Sequence, residues 1–216
     1  MAYGATSMGI RVINAEDAAP EAKPVEIATY SARNLRTALN FPSGDKYRVK
    51  LLHMHGSLTY WESTSSDVRV KVPIEALRLH DLWEGLRTSS PGWRPSVVLA
   101  NSLDKAKHVK APPFDVAYEA FRAGLGEAEH WLIIGYSFRD QCVNEELRKE
   151  FSRRSQKPAV LVCTYGDDLK LEDIHRAFGW GAEDGSSWGW LSVNRQGAVG
   201  LEASFEWSMF TYEPEG

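Results

Sequence analysis

Residues 113–179 set the strongest limit on what this chain can fold into. "PFDVAYEAFRAGLGEAE" brings Phe114, Ala117, Tyr118, Phe121 and Leu125 onto one helical face. "HWLIIGYSF" follows as a buried apolar strand that runs into glycine. "DQCVNEELRKEFSRRS" has a helical pattern, with Asp140 as its N-cap and Val143, Leu147 and Phe151 four apart. "PAVLVCTYG" reads as a second buried strand and "LEDIHRAFG" as another short helix. Helix and strand in alternation call for parallel strands, because a parallel pair needs a crossover and the helix supplies it. The expected fold class is α/β: a partial Rossmann-like parallel sheet with helices on both faces. The C-terminal stretches "SSWGWLSVN", "RQG" and "AVGLEASFEWSMFTY" read as turns and antiparallel strands that finish one sheet edge.

Upstream, "YRVKLLHMH" alternates and then turns nearly all apolar, which predicts a strand buried on at least one face. Tyr47, Val49, Leu51, His53 and His55 would share one side of it, and it would end at Gly56. "VRVKV" and "SVVLANS" predict short strands, and "PIEALRLHDLWEGLR" a helix. Residues 1–46 read as a weakly structured N-terminal segment, with "SARNLRTALNF" a short helix inside it. Residues 47–216 read as the α/β domain.

With 216 residues, 43% of them hydrophobic, the chain can bury a core without disulfides. A net charge of -4 and no basic stripe exclude nucleic acid as the main partner. Cys142 and Cys163 form no CxxC pair, so neither a zinc ribbon nor a disulfide framework is expected, and the setting reads as reduced and cytoplasmic. No apolar run is long enough to span a bilayer, and the first residues lack the charged-then-apolar pattern of a secretory leader.

In an open parallel sheet, ligands bind past the carboxyl ends of the strands. Two segments put polar groups there: "HMHGS" and "IIGYSFRD". In the second, Gly135 lets backbone approach a ligand, Ser137 can donate to a phosphate or ribose oxygen, and the following helix start suits an anion.

"LLHMHGSLTYW", then "SVVLANSLDKAK", then a helix into "LIIGYSFRDQCVNEEL" resembles the second half of a sirtuin-like domain, in the zinc-free branch found in bacterial NAD-consuming anti-phage defence proteins. The likeness runs from about Tyr47 to about Tyr165. It implies NAD as substrate or ligand, no zinc, and an NAD hydrolase releasing nicotinamide and ADP-ribose. It implies His55 as the catalytic base, with Gly56, Ser57, Gly135, Tyr136, Ser137, Phe138 and Asp140 around the nucleotide. The family's glycine-rich loop of the kind GAGxS has no counterpart, since no apolar strand leads into "YGATSMGI". The family's TxNxD-like segment is also absent, and Asn14 in "VINAED" is a poor substitute. The resemblance therefore implies a domain lacking its first sheet strands, impaired in turnover or acting as a non-catalytic nucleotide- or partner-binding remnant. Its exposed sheet edge would invite pairing with a second copy or a companion chain.

Two other enzyme readings compete. "GYSFR" is near the G-x-S-x-G nucleophile elbow, which would join Ser137, His55 and an aspartate in a hydrolase triad, but Arg139 stands where that motif has glycine. His53 and His55, two apart on a strand, would point the same way as metal ligands, with His80, His108, His130 and His175 in weak contexts to complete a set. Trp180, Trp188 and Trp190 offer a stacking surface for a base, although aromatic residues at such positions are usually core.

Overall fold

The computed structural model describes residues 6–11, 24–29, 51–66, 68–79, 92–97, 105, 107–112 and 114–212. The chain divides into two compact units, Met1–Ala120 and Phe121–Gly216.

The first unit is antiparallel. Strand β1 (Thr6–Arg11) pairs with β2 (Pro24–Thr29), from Thr6 opposite Thr29 to Arg11 opposite Pro24. Both lie in the segment that the sequence left without regular structure. Strand β3 (Gly56–Ser63) is the centre of a second sheet, between β4 (Arg69–Lys71) and β5 (Trp93–Val97). Helix α1 (Ile74–Leu79) follows β4. Trp61 and Val72 are fully buried, and Tyr60 meets Phe114 edge to face with ring centroids 6.0 Å apart. The three strands are also tied by charge. The Glu62 carboxylate on β3 accepts from Arg69 Nε at 3.2 Å, Arg94 Nε at 2.7 Å and Ser96 Oγ at 3.3 Å. Burial alone would raise the Glu62 pKa, but the hydrogen bonds and charges of Arg94 and Arg69 outweigh it and hold the pKa below its ordinary value.

Here the sequence reading needs correction. Leu51 to His53 form no strand, Met54 and His55 lie in a turn, and the strand starts at Gly56 instead of ending there. Leu51 is 77% exposed. His53 and His55 therefore do not share a strand face, and the spacing argument for a metal pair falls. Apolar alternation could not locate the strand, because the glycine that looks like a terminator is the residue that lets β5 approach. Residues 47–50 and "SARNLRTALNF" lie outside the described residues, as does the continuation of the helix expected after Leu79.

Helix α2 (Phe114–Glu127) contains the division between the units. The second unit is the predicted α/β arrangement. Strands β6 (His130–Ile134), β7 (Ala159–Cys163) and β8 (Leu191–Asn194) are parallel and lie in that order. Helix α3 (Gln141–Arg153) joins the first two and α4 (Leu171–Phe178) the second two. Strand periodicity sends Val160 and Val162 to one face, where they meet Leu147 and Phe151 of α3 and Ile174, Ala177 and Phe178 of α4. Trp190 is buried in that core with its ring 4.5 Å from Phe151, Trp180 packs beside it, and Trp188 is exposed, so two of the three clustered tryptophans are core. Leu161 and Cys163 point to the other face, which Leu201, Trp207 and Phe210 cover. The sheet thus carries helices on both faces.

Two expectations for this unit change. Among the described residues the C-terminal stretch adds no antiparallel strand, only an isolated bridge between Gln196 and Tyr165: β8 runs parallel to β7, and helix α5 (Phe205–Phe210) follows. Ser204 caps α5 by accepting from Trp207 N at 3.1 Å, and the residues that reach the core, Trp207 and Phe210, are three apart as a helix requires. Strand β6 is also only half buried. Trp131 is enclosed, but Leu132 and Ile134 are 41% and 52% exposed. On the second face the last helix covers β7 and β8 and reaches β6 at His130, whose ring meets Phe210 edge to face at 5.3 Å, while Leu132 and Ile134 stay exposed.

No helix among the described residues is long and apolar enough to cross a membrane.

Candidate functional site

The predicted site residues fall on both units. His55, Gly56 and Ser57 lie in the first, and Gly135, Tyr136, Ser137, Phe138 and Asp140 in the second.

The first group is engaged in local structure. His55 Nε2 is 3.2 Å from the Tyr118 hydroxyl. The His53 ring meets Tyr60 edge to face. Gly56 has φ +94°, and a Cβ there would stand 2.5 Å from Ser96 O and 3.1 Å from Phe114 Cε1. Glycine is therefore demanded by close packing at the start of β3. Ser57 Oγ is 2.9 Å from Thr59 Oγ1 and accepts from Thr59 N.

The second group builds a concave site. Past the carboxyl ends of β6 and β7, the two loops and the first turns of α3 and α4 enclose a cleft of about 800 Å³. "GYSFR", Gln141, Asn144, Glu145 and Arg148 line one wall, and Thr164, Tyr165, Asp168, Asp173 and Arg176 the other. This is where parallel α/β sheets place ligands.

Hydrogen bonds fix the loop between β6 and α3. Gly135 N donates to Cys163 O at 3.0 Å, and Gly135 adopts φ +65°. Phe138 is the only described non-glycine residue at positive φ, +56°. A left-handed phenylalanine is costly and persists only where its surroundings over-determine it, which happens most often at functional sites. Here its ring is buried, 4.7 Å from the ring of Tyr136, and its carbonyl accepts from Asn144 Nδ2 at 2.8 Å. Asn144 Oδ1 in turn accepts from the Tyr136 hydroxyl at 2.8 Å. That hydroxyl also lies 3.1 Å from Asp140 O. Burial, reinforced by the Asp140 carboxylate, pushes the Tyr136 phenol above its ordinary value, so Tyr136 keeps its proton and serves as a donor.

Asp140 is the N-cap of α3, as the sequence predicts. Its Oδ1 accepts from Cys142 N at 3.1 Å and Val143 N at 3.4 Å. That role competes with the one expected for the helix start, because a carboxylate already takes the N–H groups that a phosphate would use. Ser137 and Arg139 are exposed at the cleft. The Ser137 hydroxyl bonds no histidine among the described residues, so the hydrolase triad gains no geometric support.

Sequence reasoning missed Asn144 and the far wall of the cleft. Asn144 stands four residues after Asp140, one turn into α3. A buried asparagine beside an N-cap was the available signal. No protein-family model, curated protein or solved structure matches this chain.

Proposed function

We propose that this chain is a sirtuin-like NAD-binding domain that holds NAD or ADP-ribose in the cleft of its second unit. The observation that carries the reading is the placement of "GYSFRD". It sits past two parallel strands, with Gly135 and Phe138 both at positive φ and with Ser137 and Arg139 exposed beside the cleft.

Turnover would need more. Breaking the nicotinamide–ribose bond builds oxocarbenium character on the sugar, so the ribose must be held still with a base near its hydroxyls. The resemblance makes His55 that base, with water as acceptor to give ADP-ribose or an acyl-lysine as acceptor in deacylation. The missing TxNxD-like segment and the engagement of Gly56 and Ser57 in strand structure favour holding over turnover. The edge position of β6 supports a companion chain or a second copy as a further partner.

The test is calorimetric titration of the full chain with NAD and with ADP-ribose, followed by mass detection of nicotinamide. The expected result is binding with little release, and any release should vanish in His55→Ala. Absence of binding by both nucleotides would sink the proposal, and undiminished release in His55→Ala would remove His55 from the chemistry.

A further inference from the structure

We infer that Arg139 is the ligand-selecting cation of this cleft, and that it selects for a ligand carrying a diphosphate. The inference rests on the nucleotide reading above and names the part of the ligand that the protein discriminates.

Three arginines line the cleft: Arg139, Arg148 and Arg176. One is neutralised by a carboxylate and another is turned toward α4 by a backbone carbonyl. Arg176 Nη1 pairs with Asp173 Oδ1 at 2.8 Å, and Arg148 Nη2 donates to Arg176 O at 2.9 Å. Among the described residues, no carboxylate pairs with Arg139, whose side chain is exposed. The usual alternative for anion binding, the N-terminus of α3, is closed by the Asp140 carboxylate on Cys142 N and Val143 N. At the turn itself, attraction for an anion falls to the Arg139 guanidinium, with the Ser137 hydroxyl two residues away and Arg148, held to Arg176 O, further along α3.

The backbone on either side of Arg139 is fixed. Phe138 is held by its buried ring and by the Asn144 bond to its carbonyl. Asp140 is held as the cap. Arg139 is thus presented from a clamped turn, which reduces the ordering that binding would otherwise require. A planar guanidinium fork matches the paired oxygens of a phosphate better than a point charge does. Glu145 and Asp168 also line the cleft. Those carboxylates disfavour a bare polyanion and suit a ligand whose remainder is neutral and rich in hydroxyls, as a ribose is.

The experiment titrates the full chain, Arg139→Gln and Arg139→Lys with ADP-ribose, adenosine and inorganic pyrophosphate at two salt concentrations. Arg139→Gln should weaken ADP-ribose about 10- to 100-fold and flatten its salt dependence, while leaving adenosine binding and the melting temperature unchanged. Arg139→Lys should restore part of the loss. If ADP-ribose and adenosine bind equally well and Arg139→Gln alters neither, selection by Arg139 is overturned and the nucleotide reading stands. If only pyrophosphate binds, in an Arg139-dependent way, anion selection stands and the nucleotide reading falls. If none of the three probes binds, both are overturned.

Discussion

Replacing Asn144 with alanine tests whether the cleft wall is held as described. Asn144 is 9% exposed and makes two short bonds, giving one to Phe138 O and taking one from Tyr136. Each neutral hydrogen bond contributes about 1 kcal/mol net, and a buried carbonyl left without a partner costs about 1–3 kcal/mol. The Tyr136 hydroxyl can fall back on Asp140 O at 3.1 Å, so only the Phe138 carbonyl is orphaned. The sum is about 2–4 kcal/mol. Tyr136→Phe removes one bond and takes the donor away from the buried Asn144 Oδ1, which predicts about 1–3 kcal/mol. Because the two side chains share a bond, their effects should not add, and the double variant should show a coupling of about 0.5 kcal/mol or more. Urea denaturation followed by tryptophan fluorescence measures all three variants. If Asn144→Ala loses less than about 0.5 kcal/mol, the network does not hold Phe138 in its left-handed conformation and the argument for a clamped wall fails.

Other consequences can be checked alongside. Phe151→Ala removes the ring that packs against Trp131, Phe178, Trp180 and Trp190, and should cost about 3–5 kcal/mol by denaturant titration. Glu62 has a pKa depressed by folding, so its stabilisation is present above the ordinary value of 4.5 and is lost as pH falls through the lower folded value. Acid titration of stability should therefore be flatter below about pH 4.5 in Glu62→Gln than in the parent chain. Gly56→Ala places a Cβ against Ser96 O at a positive φ and should cost about 2 kcal/mol or more, whereas Gly135→Ala meets nothing within 4 Å and should cost about 1–2 kcal/mol from backbone strain alone. Equal losses at the two glycines would remove the packing explanation for Gly56.

The second unit was largely legible because its signals are local and periodic. The Asp140 cap, the four-residue spacing of Val143, Leu147 and Phe151, and the apolar run Ala159–Cys163 each have one physical reading, and each element formed as expected. Where the period was ambiguous, the reading failed. "LEASFEWSMFTY" alternates well enough for a strand, but Ser204 caps a helix and the core takes Trp207 and Phe210. "LLHMHGS" was read as a strand ending in glycine, and only the distance from Gly56 to Ser96 O, across 40 residues of sequence, reveals that the glycine starts one. Non-local approach of this kind leaves no periodic trace. The far wall of the cleft was invisible for the same reason, since Tyr165, Asp168 and Arg176 come from later elements than the motif they face.

That contrast separates the two motifs that first pointed to a nucleotide. Packing accounts for "HGS": the glycine admits β5, the serine bonds Thr59, and the histidine reaches Tyr118. In "GYSFRD" the Phe138 ring joins the core and Asp140 caps α3, while Ser137 and Arg139 are left exposed. A glycine at position 138 would adopt the turn without strain, but phenylalanine also supplies a buried ring to the core, and Asn144 holds its carbonyl. The exposed residues it separates, Ser137 and Arg139, contribute little to any core. The turn sets that hydroxyl and guanidinium beside a cleft past the carboxyl ends of parallel strands, so the second unit is where a ligand should be sought first.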